Sequence, residues 1–193
     1  MRKKEQKGFR KELILPLFIV FILVMSVFGY MFGSSRTRYT HNDFKFYSME
    51  TGGFLLKLED GRIVFNYFPT EIAWINTTKG IGNVFNAPMI YATSHYNSLY
   101  NETISQVKFN LAQNLGDMKG VYVQNAFTTK TEYDIPLITC ENATPSLPVV
   151  FFERSNSTGI SYQNNCVSVR ARSREEIIAA YERLLYSIFG VME

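Results

Sequence analysis

The hydrophobic pattern divides the chain into two unlike parts. Positions 13–32 form an unbroken run of 20 residues with no charged side chain. As a helix rising about 1.5 Å per residue, such a run reaches roughly 30 Å, the hydrocarbon thickness of a bilayer. The pattern predicts one transmembrane helix over 13–32. Pro16 falls in its first turn, where the missing N–H costs nothing. Tyr30 and Phe32 lie where interfacial aromatics belong. The run is longer than the apolar core of a signal peptide, about 7–15 residues, and Gly33-Ser34-Ser35 is a poor cleavage site, so it reads as a retained anchor.

From residue 43 the pattern shifts to short strands. In "DFKFYSM" Phe44 and Phe46 alternate with polar residues, and "GFLLKLEDGRIVFNYF" reads as a hairpin about Asp60-Gly61. "TEIAWI" extends the sheet, and "TTKGIGNVFNAP" reads as a loop. An apolar run at 89–93 precedes Ile104, Val107, Leu111 and Leu115, which recur at helical spacing. Asn101 or Ser98 is the candidate N-cap and Gly116 the stop. Residues 121–127 return to strand character. A strand–helix–strand unit predicts parallel strands with a right-handed crossover. "PLITC", "PVVFFE", "GISYQ" and "CVSVRA" then read as strands, the last three as a meander. Ser173 and Glu176 form a capping box ahead of a closing helix. Its apolar stripe is Ile177, Tyr181, Leu184 and Ile188, and Gly190 ends it.

The predicted organisation is a basic tail over 1–12, the transmembrane helix over 13–32, a linker over 33–42 and an extracytoplasmic domain over 43–193. The fold class of that domain is α+β or mixed α/β, with a mixed sheet and two main helices.

Charge orients this arrangement. Arg2, Lys3, Lys4, Lys7, Arg10 and Lys11 precede the apolar run against Glu5 and Glu12, and only Arg36 and Arg38 follow closely. The excess places the N-terminus inside and the domain outside the cell membrane. The first twelve residues carry +4 and the other 181 carry −1. The basic character therefore belongs to the tail, and no nucleic-acid partner is expected. Within the apolar run, Gly29 and Gly33 match G-x-x-x-G with Ser26 one turn earlier, a candidate face for homodimerisation.

Cys140 and Cys166, 26 positions apart, are the only cysteines. No C-x-x-C exists for thiol exchange, and His41 and His95 do not complete a zinc set with them. In an oxidising compartment the pair reads as a structural disulfide. Asn76, Asn101, Asn142 and Asn156 each begin an Asn-x-Ser/Thr tripeptide and are candidate N-glycosylation acceptors, with Pro145 weakening the site at Asn142. His95, with Ser94, Tyr96 and Ser98 nearby, is the best candidate acid or base. No Ser/His/Asp order or G-x-S-x-G elbow supports it, so no catalytic, cofactor or metal residue is assigned.

The order strand–helix–strand, then "LPVVFFE", "TGISYQ" and a closing helix, resembles the thioredoxin-like arrangement, in which a proline stands where Pro148 stands here. The family's C-x-x-C would fall near Tyr96–Asn101, which holds no cysteine, and the strand at 166–171 is extra. The whole chain is similar to uncharacterised single-pass membrane proteins of archaea. The resulting expectation is a non-enzymatic binding or assembly protein that holds a membrane or envelope partner beside the bilayer. The alternative is an extracytoplasmic enzyme or redox helper with a divergent thioredoxin-like core.

Overall fold

A computed structural model describes residues 14–32 and 37–193. It divides into two units, 1–37 and 38–193.

In the first unit, helix α1 runs Ile14–Phe32. Its leucine, isoleucine, valine, phenylalanine and methionine side chains are exposed wherever they are described, from Val24 at 45% to Leu15 at 68%. Among the described residues no helix is long and apolar enough to cross a membrane. The side chains of α1 are described only over 14–28, and Leu13, at the start of the expected span, lies outside the described residues. The basic tail over 1–12 and the candidate cleavage site at Gly33-Ser34-Ser35 also lie outside them. Of the candidate dimer face, Ser26 and Gly29 fall within α1 and Gly33 lies outside.

The second unit begins with a four-stranded antiparallel sheet in chain order: β1 (Arg38–His41), β2 (Phe44–Ser48), β3 (Phe54–Lys57) and β4 (Arg62–Phe65). β1 occupies the segment expected to be linker. Asn42 and Asp43, with φ of 43° and 62°, supply the two left-handed residues of a tight hairpin turn. The hairpin about Asp60-Gly61 forms, closed by the Leu58 N–H donating to the Gly61 carbonyl. "TEIAWI" does not extend this sheet. Its first residues join a 3-10 turn at Pro69–Ile72, whose Ile72 is buried.

A second sheet follows, with β5 (Met89–Ser94), β6 (Tyr122–Asn125), β7 (Val149–Arg154), β8 (Gly159–Gln163) and β9 (Cys166–Ala171) in spatial order β6-β5-β7-β9-β8. β5 pairs parallel with both β6 and β7, as the strand–helix–strand reading required. The expected meander does not form. β9 lies between β7 and β8, parallel to the first and antiparallel to the second. "PLITC" forms no strand, only a bridge from Leu137 to Phe127 and a 3-10 turn at Cys140–Asn142.

Two helices complete the unit. α2 (Asn101–Lys119) passes through Gly116 and ends at Gly120, with φ of 65°. α3 (Arg174–Ile188) starts on Ser173, whose Oγ accepts from the Glu176 N–H at 3.2 Å, and stops at Gly190, with φ of 70°. The Glu176 carboxylate does not return to Ser173 as a full capping box would require. It accepts instead from Arg172 and from the Thr158 hydroxyl. One hydrophobic core joins both sheets and both helices, with Phe46, Leu56 and Phe65 from the first sheet, Ile90 and Val150 from the second, Leu111 from α2 and Leu184 from α3. The Tyr186 ring stacks on Phe65 at 4.2 Å between centroids.

Candidate functional site

A cleft of about 720 Å³ opens between β4, α2 and α3. Helical spacing builds one wall. Gln106, Asn110, Gln113 and Asn114 fall at i, i+4, i+7 and i+8, so four amides share one face of α2. Alternation along β4 turns Arg62 and Val64 outward on the opposite wall while Ile63 and Phe65 enter the core. α3 adds Arg174, Ile178, Tyr181 and Glu182.

Hydrogen bonds fix part of this surface. Asn114 Nδ2 donates to the Tyr181 hydroxyl at 2.8 Å, tying α2 to α3. Gln106 Nε2 donates to Asn110 Oδ1 at 2.9 Å. Glu182, 3% exposed, accepts from the backbone N–H groups of Asn66 and Tyr67 and from Asn66 Nδ2 at 2.6 Å. Burial raises its carboxyl above the ordinary range, while those donors pull the other way. Its oxygens are engaged in holding the turn after β4, which makes Glu182 a structural group rather than a free base. In formal charge, Arg62 and Arg174 equal Glu102 and Glu182. The arrangement offers both hydrogen-bond donors and acceptors to a ligand.

A second polar group gathers at the carboxyl end of β5. His95 is exposed. Its Nδ1 lies 2.6 Å from the Thr128 hydroxyl, and its ring stands edge-on to Phe151 at 5.2 Å. No carboxylate orients it through a hydrogen bond among the described residues. Tyr96 turns instead to Phe127 and Tyr133, and Ser98 Oγ accepts from the Tyr100 N–H. Ser94 is fully buried, and its Oγ accepts from Lys108 Nζ at 3.2 Å. Lys108 is a buried polar group with no sequence motif to mark it. Its position is the only signal: it sits four residues after Ile104 and three before Leu111, inside the apolar stripe of α2. Burial pushes its ammonium down to about 8.

The cysteines meet as a disulfide between Cys140 and Cys166, with Cα atoms 5.3 Å apart. It joins the 3-10 turn ahead of β7 to the first residue of β9. Asn76, Asn142 and Asn156 are exposed in loops and turns, whereas Asn101, the first residue of α2, is half-buried. Asn142 Oδ1 accepts from the Thr139 N–H at 2.8 Å, so that side chain already caps its own turn. Among the described residues no group of three or more His, Cys, Asp or Glu side chains is placed to hold a metal ion.

No family model matches the chain, and neither a curated protein nor a solved structure does.

Proposed function

We propose that this chain is a single-pass, membrane-anchored protein whose outer domain binds a neutral, polar component of the cell envelope in the cleft between β4, α2 and α3. The observation that carries the reading is the row of four amides on α2 facing a cleft whose formal charges cancel. Amides donate and accept at once, which suits hydroxyl-rich or amide-rich chains and favours neither anions nor cations. The anchor rests on the uncharged run at 13–32 with six basic residues before it. The disulfide fits an oxidising compartment. Confinement beside the membrane raises the effective concentration of a partner, so a weak contact suffices.

The test uses the full chain in detergent and measures binding of neutral oligosaccharides by calorimetry. A Gln106→Ala/Asn110→Ala/Gln113→Ala variant should lose at least tenfold in affinity, about 1.4 kcal/mol. Equal binding by this variant would overturn the cleft assignment. Protease treatment of intact cells should degrade the domain, and a protected domain would overturn the topology. The enzyme alternative is favoured by one observation only, the burial of Lys108.

A further inference from the structure

A lysine on a helix ordinarily carries its ammonium to water, because burial of an unpaired charge costs stability. Lys108 does the opposite. It is 5% exposed, with its amine turned toward β5 and the residues that follow β6. Its Nζ donates to Ser94 Oγ at 3.2 Å and to the Ala126 carbonyl at 3.0 Å, and lies 4.5 Å from the centre of the Phe127 ring. These partners are neutral, and among the described residues the only ion pair is Arg172 with Glu176. A methionine would fill the same space without desolvating a charge. A buried amine held by neutral partners is the kind of group that marks a functional site.

A cavity of about 210 Å³ adjoins it. Ala92, Phe109, Ala112 and Val123 give it apolar walls, and Ser105 and Asn125 supply its other polar groups. Phe109 is 57% exposed and marks the solvent side. Ala92 and Ser94 lie two residues apart on one strand face, so both look toward α2. Lys108 itself lines the cavity, with its Nζ held at Ser94.

We propose that Lys108 is a reactive amine that condenses with a small apolar aldehyde or ketone admitted to this cavity. The nitrogen lone pair attacks the carbonyl carbon and forms the C–N bond. The C=O π electrons pass to oxygen, which takes up a proton while the nitrogen releases one. Loss of one water from the carbinolamine leaves the C=N bond of an imine, with no change in oxidation state. Apolar walls suit the organic part of such a substrate and disfavour bulk water. Burial that holds the amine partly neutral near pH 8 supplies the nucleophile without an added base.

The experiment treats the full chain with butanal and sodium cyanoborohydride from pH 6 to 10, then quantifies the butyl adduct on each lysine by peptide mass spectrometry. Lys108 should be modified at pH 7.5 about tenfold faster than exposed Lys45, Lys79 and Lys119, with its rate half-maximal near pH 8. Modification of those exposed lysines at rates equal to or above that of Lys108 would overturn the proposal. Ala112→Leu, which fills the cavity, should slow modification of Lys108 at least fivefold and leave the exposed lysines unchanged. Undiminished labelling of Lys108 in that variant would equally overturn it, because the cavity would not be the route.

Discussion

The two edges of the five-stranded sheet are built for different ends. At the β8 edge nearly everything is tied down. The outward N–H of Ile160 donates to the Asn76 carbonyl at 2.8 Å, and that of Tyr162 to Thr78 Oγ1 at 3.1 Å, so the loop at 76–78 covers the strand. The disulfide fastens the neighbouring strand β9, and Asn164-Asn165, both at positive φ, make a two-residue turn. At the β6 edge the strand is four residues long, Tyr122 is 62% exposed, and a cavity and a buried lysine lie beneath. Edge strands invite pairing with other chains, and covering or shortening them is how proteins manage the hazard. One edge here is covered and the other is short. The permanent bonds gather at the first and the unpaired charge at the second.

The largest effect should come from cutting the staple. Cys140→Ser with Cys166→Ser should lower the unfolding free energy by about 3.5 kcal/mol in the chain-entropy account of a loop of this length. Urea titration of both proteins measures it, and an unchanged midpoint would mean that the covered edge holds without its disulfide.

The opposite sign is expected at the other edge. Lys108→Met should raise stability at pH 7 by about 2 kcal/mol, since the relief of a buried charge outweighs the donor lost to Ser94 and Ala126. The pH dependence follows from the lowered folded value of about 8 against 10.5 unfolded. Between those values the unfolded chain holds a proton that the folded chain has released, so wild-type stability rises with pH. Below pH 8 both states are protonated and the penalty is constant. The advantage of Lys108→Met should therefore be flat up to pH 8 and shrink toward pH 10. Denaturant melts of both proteins at pH 7 and pH 10 check this. Tyr181 and Tyr186, whose ionisation burial delays, act alike in the two proteins and cancel in the difference.

Smaller effects sharpen the contrast. Thr78→Val removes the acceptor for Tyr162 and should cost about 1 kcal/mol, with faster amide exchange at Tyr162 as the local readout. Tyr122→Ser on the bare edge should change stability by less than about 0.5 kcal/mol in a thermal melt. A larger loss would show that this edge is packed rather than open.

What was legible follows the range of the forces involved. The stripe of α3, its Ser173 cap and its Gly190 stop are local, and each stands where the spacing put it. The disulfide could be inferred because only two cysteines compete. The position of β9 was hidden, since the Asn164-Asn165 turn fixes β8 against β9 but carries no information about which of them meets β7. β1 was hidden because Arg38, Tyr39 and Thr40 are all exposed, which leaves no buried alternation to read. Gly116 misled because a glycine inside a helix costs only about 1 kcal/mol, less than the burial of Leu115 beside it contributes. The amide cleft is not legible in the sequence because polar helix faces ordinarily meet only solvent, and nothing local says that β4 and α3 will stand opposite.

The insertion of β9 gives the molecule an unusual response to being cut. The short link at 155–158 joins β7 to β8, which are not hydrogen-bonded neighbours, and Asn156 and Ser157 on it are exposed. A protease that severs this link breaks no strand pairing. The C-terminal fragment stays laced to β7 through β9 and remains covalently joined to the rest through Cys140 and Cys166. The nicked protein should migrate as one species on a denaturing gel until a reductant is added, and then as two.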